Sequence, residues 1–145
     1  MKEAGVKEEM EERNQEEDKI IFVYNADSGL FHMATDYFQK MVSPGTYSCN
    51  LCAITFGSLG MKREWKTFIA KLNMPAEFLH RDEFLELYPS MDVKFPAAFV
   101  KRGSDISLLI PHTEINKAKS VEDLMKLVTE KIADKQGRHN QNNTD

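Results

Sequence analysis

Lys94-Phe95-Pro96-Ala97-Ala98-Phe99-Val100-Lys101-Arg102-Gly103-Ser104-Asp105-Ile106-Ser107-Leu108-Leu109-Ile110 is the stretch that decides the architecture. Two short runs rich in apolar residues, 97–101 and 106–110, flank Arg-Gly-Ser-Asp, a turn-forming segment with its glycine inside, so the segment reads as an antiparallel hairpin. Pro96 stands just before the first run, where a missing N–H costs no ladder hydrogen bond.

Working back from the hairpin, Ala76-Glu-Phe-Leu-His80 reads as a strand, and Asp82 is placed to cap a short helix through Tyr88 that Pro89 closes. Before it, Met61, Trp65, Phe68, Ile69 and Leu72 recur at i, i+4, i+7, i+8 and i+11, a helical stripe ending at Asn73-Met-Pro75. Trp65 is expected in the core. Lys19-Ile-Ile-Phe-Val-Tyr24 is a continuous apolar run with β-branched and aromatic residues, the pattern of a strand covered on both faces. Asn25-Ala-Asp-Ser-Gly29 stops it. Leu30, Ala34, Tyr37 or Phe38 and Met41 then recur at helical spacing, with Asp27 or Ser28 as N-cap. A polar loop running into a helix start suits an anion or a catalytic group, because free backbone N–H groups point outward there; it also suits a simple cap. Forward of the hairpin, Ser120-Val-Glu-Asp123 opens a helix with Val121, Leu124, Met125, Val128 and Ile132 on one face. The expected strands are therefore 20–24, 76–80, 97–101 and 106–110, the first two parallel and the last two a hairpin, in an α/β sheet flanked by helices.

At 145 residues the chain has the length of one domain. Residues 1–19 hold eight of the 23 acids and four of the 19 bases, leaving 15 of each in the body. Residues 1–18 read as a disordered acidic arm, 19–133 as the domain and 134–145 as a polar, disordered tail. A neutral body with an acidic arm offers no electrostatic footprint for nucleic acid or for an anionic membrane surface. No apolar run spans a bilayer and no signal-peptide pattern opens the chain, so the expected location is cytoplasmic.

Both cysteines lie in Ser43-Pro-Gly-Thr-Tyr-Ser-Cys49-Asn-Leu-Cys52-Ala-Ile-Thr-Phe-Gly57. Ser43-Pro-Gly45 punctuates, Ser48 can cap a new turn and Gly57 can end it, which puts Cys49 and Cys52 one turn apart at the start of a short helix. Their Cα atoms would then be roughly 5–6 Å apart, within disulfide reach. In a reducing compartment a C-x-x-C pair more often signals redox chemistry or a metal than a staple.

The order strand, helix, helical insert, strand, short helix, proline, hairpin, final helix is similar to the thioredoxin fold over residues 19–133. The resemblance implies a cis bond at Phe95-Pro96 and a substrate-binding role for Phe95, Pro96, Asp27 and Ser28. Thioredoxins carry their C-x-x-C after the first strand, where this chain has Asn25-Ala-Asp-Ser28. That loop resembles the Asp-Gly-Asp-Cys start of a family of thioredoxin-like thiol-disulfide oxidoreductases, with Ser28 where a cysteine would fall. Tyr24-Asn-Ala-Asp-Ser-Gly29 and Ser43-Pro-Gly-Thr-Tyr-Ser-Cys-Asn-Leu-Cys52 resemble phrases shared by a set of uncharacterised bacterial proteins.

Three readings of the cysteines follow. As a thiol-disulfide oxidoreductase the protein would use Cys49 as nucleophile and Cys52 as resolving thiol, with no cofactor, on a protein or small-molecule thiol or disulfide. This requires Cys49 to be partly exposed. As a zinc or iron ligand pair the two would need further ligands from His32, His80 or His112, which are isolated in sequence. As buried small hydrophobes beside Leu51, Ala53, Ile54 and Phe56 they would serve a non-catalytic thioredoxin-like binding protein. Gly57-Ser-Leu-Gly60-Met-Lys62 lacks phosphate-loop spacing, and no G-x-S-x-G elbow exists.

Overall fold

The computed structural model describes residues 18–28 and 49–143. The acidic arm apart from Asp18, the helix expected after Ser28, and the Ser43–Ser48 turn lie outside the described residues.

Four strands form a mixed sheet in the order β4-β1-β5-β6: β1 (Lys19–Tyr24), β4 (Ala76–His80), β5 (Ala97–Arg102) and β6 (Asp105–Ile110). β1 runs parallel to β4 with Ile20 opposite Ala76, and antiparallel to β5 with Val23 opposite Ala97. β5 and β6 make the expected hairpin. Its turn is tight because Gly103 adopts φ +60°, a conformation that costs a side-chain-bearing residue steric energy. The register shifts between Ala98 and Phe99, so one extra residue of β6 is accommodated there and Leu109 and Ile110 are both buried. The Phe95-Pro96 bond is cis, as expected.

β1 is central, and five of its six residues are buried. Its alternation divides the core. Ile20, Phe22 and Tyr24 face a large cluster with Trp65, Ala98, Val100, Ile115, Leu124 and Val128. Ile21 and Val23 face a smaller cluster with Phe84, Ala97 and Phe99. Helices cover both faces, as they must when a strand buries both sides.

The large cluster is covered by α1 (Asn50–Thr55), α2 (Arg63–Ala70) and α5 (Val121–Asn143), with the short α4 (His112–Ile115) at the sheet end; α3 (Arg81–Leu87) contributes Phe84 to the smaller cluster. Trp65 is fully buried and meets Phe22 edge-on at 5.4 Å and Phe68 at 5.6 Å. α2 is shorter than its apolar stripe. Met61 belongs to a two-residue ribbon, β2 (Phe56–Gly57) with β3 (Gly60–Met61), and pairs with Phe56. Gly60 turns this ribbon at φ +95°, and the Lys62 N–H donates to the Thr55 carbonyl at 2.8 Å, so the helix starts only at Arg63. Met61 and Leu72 still pack on the core from outside the helix.

Two further helices differ from the sequence reading at their ends. α3 is capped by His80, not Asp82: the His80 N–H donates to Glu83 Oε1 at 2.8 Å, the reciprocal half of a capping box. The last helix does not stop near Ala133 but continues to Asn143, through most of the segment expected to be a disordered tail. Extending an existing helix avoids the cost of nucleation, and residues 134–143 contain no proline and a single glycine, Gly137.

Candidate functional site

α1 begins one residue later than its sequence suggests, with Cys49 as N-cap and Asn50 as the first helical residue. Cys49 caps with sulfur: the Cys52 N–H donates to Cys49 Sγ at 3.3 Å. The two cysteines are joined in a disulfide with Cα atoms 5.3 Å apart, the separation one helical turn provides. Both are buried, Cys49 at 3% exposure and Cys52 at 2%, among Leu51, Ile54 and the large cluster. The partial exposure that a nucleophilic Cys49 requires is therefore absent in this state, because the first turn of α1 is pressed into the core.

Contacts at both ends fix α1. At its start Asn50 Nδ2 donates to the carbonyls of Ile115 and Ala118, each at 2.8 Å. At its end the Phe56 ring stands edge-on to Tyr24 at 5.7 Å. In between, Thr55 Oγ1 donates to the Leu51 carbonyl at 2.6 Å, which lets a polar residue be buried completely. Tyr24 also stacks on Phe78, and burial raises its phenol well above the ordinary value.

Asp27 and Ser28 leave the end of β1 and meet the start of α3. Ser28 donates twice to Asp82, from its N–H to Oδ1 at 2.8 Å and from its hydroxyl to Oδ2 at 2.6 Å. Arg81 reaches Asp27 Oδ1 from Nε at 3.1 Å and Asn25 Oδ1 from Nη1 at 3.3 Å, while its N–H donates to the Ala26 carbonyl at 2.9 Å. Asp82, displaced from its expected capping role, thus locks the β1 loop instead. Desolvation pushes its carboxyl upward, but the hydrogen bonds from Ser28 and from the helix N–H groups outweigh this and hold it below the ordinary value. The His80 N–H and ring hold Glu83 below its ordinary value too.

The expected site residues do not converge. Val23 stands opposite Ala97, so Phe95 and Pro96 lead into β5 at the same end of the sheet at which Asp27 and Ser28 follow β1. Phe95, however, turns inward and meets Phe84 edge-on at 5.7 Å in the smaller cluster, whereas the two sulfurs belong to the cluster on the opposite face. Among the described residues no group of three His, Cys, Asp or Glu side chains could hold a metal ion, and no helix is long and apolar enough to cross a membrane.

Comparison with protein-family models, with curated proteins and with solved structures found no match for this chain.

Sequence reasoning missed Asn50 and the Arg81–Asp82 contacts. The partners of Asn50 lie 65 and 68 residues away and those of Arg81 and Asp82 lie 54 to 56 away, distances at which no local pattern speaks. One signal was available: Glu83 follows His80 by three residues, the spacing of a capping box.

Proposed function

We propose that this chain is a thioredoxin-like domain in which Cys49 and Cys52 form a reversible thiol-disulfide couple, acting on a protein or small-molecule thiol or disulfide. The strand order β4-β1-β5-β6, with β5 running antiparallel to the other three, supports the fold reading. One observation carries the chemistry: the Cys52 N–H points at Cys49 Sγ in the opening turn of α1. In the reduced protein the same N–H would stabilise a Cys49 thiolate and raise its share near neutral pH. Cys49 is then the nucleophile. Its thiolate attacks one sulfur of a substrate disulfide, forming a mixed disulfide and releasing a substrate thiolate. The Cys52 thiolate attacks Cys49 Sγ, closes the Cys49–Cys52 bond and releases the second substrate thiolate. Two electrons and two protons pass to the substrate.

The burial of both sulfurs favours a second reading, a non-catalytic thioredoxin-like binding protein with structural cysteines. Equilibration with glutathione redox buffers, followed by alkylation and mass analysis, separates the two when combined with elemental analysis. The redox reading expects one reversible two-electron transition, two alkylated thiols after reduction and none before. A disulfide that the folded protein never exchanges would establish the structural reading. One equivalent of metal lost on replacing either cysteine would overturn both.

A further inference from the structure

Asn50 lies inside the ring that Cys49 and Cys52 close, and it also ties that ring to the rest of the protein. Its amide spans the carbonyls of Ile115, the last residue of α4, and Ala118, in the turn before α5. The Ile115 carbonyl also accepts from the Ala118 N–H at 3.1 Å, so the Asn50 amide adds a second, part-buried bond at this helix end and bridges it to the Ala118 carbonyl. Ile115, Ala118 and Val121 belong to the same buried cluster as both sulfurs. Cys49 is buried and Asn50 follows it directly, so a movement of the first turn of α1 away from α4 that exposes Cys49 Sγ would break both Asn50 bonds.

We propose that Asn50 is a latch on the Cys49–Cys52 pair, which makes exchange conditional on a local opening of α1 away from the α4–α5 turn. The proposal rests on the redox reading above and specifies its regulation. Asn50 is a positioning residue, since it touches neither sulfur's reaction partner. A thiolate of a small dithiol enters the opened turn, attacks Cys49 Sγ and displaces the Cys52 thiolate; the reagent's second thiol then releases Cys49, leaving two protein thiols and an oxidised reagent. Any effector that competes for the Ile115 and Ala118 carbonyls, or pulls on α4, would accelerate this reaction without touching sulfur.

The test is the rate of disulfide reduction by excess dithiothreitol in the folded full chain, read by acid quench, alkylation and mass. Loss of two part-buried hydrogen bonds should accelerate reduction by about tenfold in Asn50→Ala. Ile106→Ala, which loosens the smaller cluster on the opposite face, should stay within about twofold of the native rate if opening is local. The native protein gives a second measure that needs no variant: its reduction rate should rise with urea much less steeply than global unfolding does. Equal acceleration in both variants, or a urea slope equal to that of global unfolding, would overturn the latch. A native protein that exchanges while Asn50→Ala reacts no faster overturns the latch alone. Folded native protein and folded variant that both stay oxidised overturn it together with the redox reading.

Discussion

Reducing the Cys49–Cys52 bond should cost little stability, and the cost can be worked from the size of the loop. The bond spans a sequence separation of 3, so it removes little freedom from the unfolded chain. On the chain-entropy account a loop this short is worth about 2 kcal/mol, against about 5 for a loop of a hundred residues. For a chain of 145 residues that corresponds to a fall in Tm of about 5–10 °C. By the thermodynamic cycle, the same 2 kcal/mol makes the disulfide roughly 30-fold easier to form in the folded than in the unfolded protein, or about 40 mV for a two-electron couple. Such a difference leaves the folded protein intact on both sides of the reaction, as a couple requires. The assay is urea unfolding of the oxidised and the reduced, alkylation-blocked protein, followed by Trp65 fluorescence and far-UV circular dichroism. A stability difference above about 4 kcal/mol would refute the reasoning, because it would mean that Leu51, Cys52 and Ile54 leave the core when the bond opens. An unchanged slope with a shifted midpoint is the expected form of the result.

Asp82→Asn should destabilise at neutral pH by removing the charge and one of the two oxygens that accept from Ser28, since an amide keeps a single acceptor oxygen. Because the folded carboxyl titrates below its ordinary value of about 3.9, its contribution is complete above that pH and is lost as pH falls through the lower, folded value. Calorimetry should thus find a gap in Tm between variant and native protein that is flat from about pH 7 to 5 and closes in stronger acid; a gap that widens on acidification contradicts the assignment. Phe84→Ala should cost about 3–5 kcal/mol in chemical denaturation, since the ring is fully buried and stacks on Phe99 at 4.5 Å; a loss under about 1 kcal/mol would show that the smaller cluster is not packed as described. The buried Trp65 Nε1 has no hydrogen-bond partner among the described residues, so Trp65→Phe should cost far less than Trp65→Ala, and equal losses by both would refute that orphan.

Much of the sheet was legible in the residue order. A continuous apolar run at 20–24, a proline before 97–101 and a glycine turn at 102–105 each restrict the backbone locally, and local restriction is what sequence pattern records. The cysteine spacing likewise made a disulfide geometrically available, since one helical turn sets the distance. Helix ends were less legible because caps compete. Asp82 has the chemistry of a cap, yet Ser28, 54 residues away, claims its carboxylate and leaves the cap to His80 and Glu83. Met61 has the spacing of the α2 stripe, yet pairing with Phe56 takes it out of the helix. Whether the cysteines face solvent or core was decided only in three dimensions. The same six residues of α1 could lie on the surface or press inward, and the choice rests on Asn50 meeting two carbonyls of a distant turn and on Phe56 meeting Tyr24. Spacing along the chain fixes how far apart two sulfurs can be; only long-range packing and hydrogen bonding fix what can reach them.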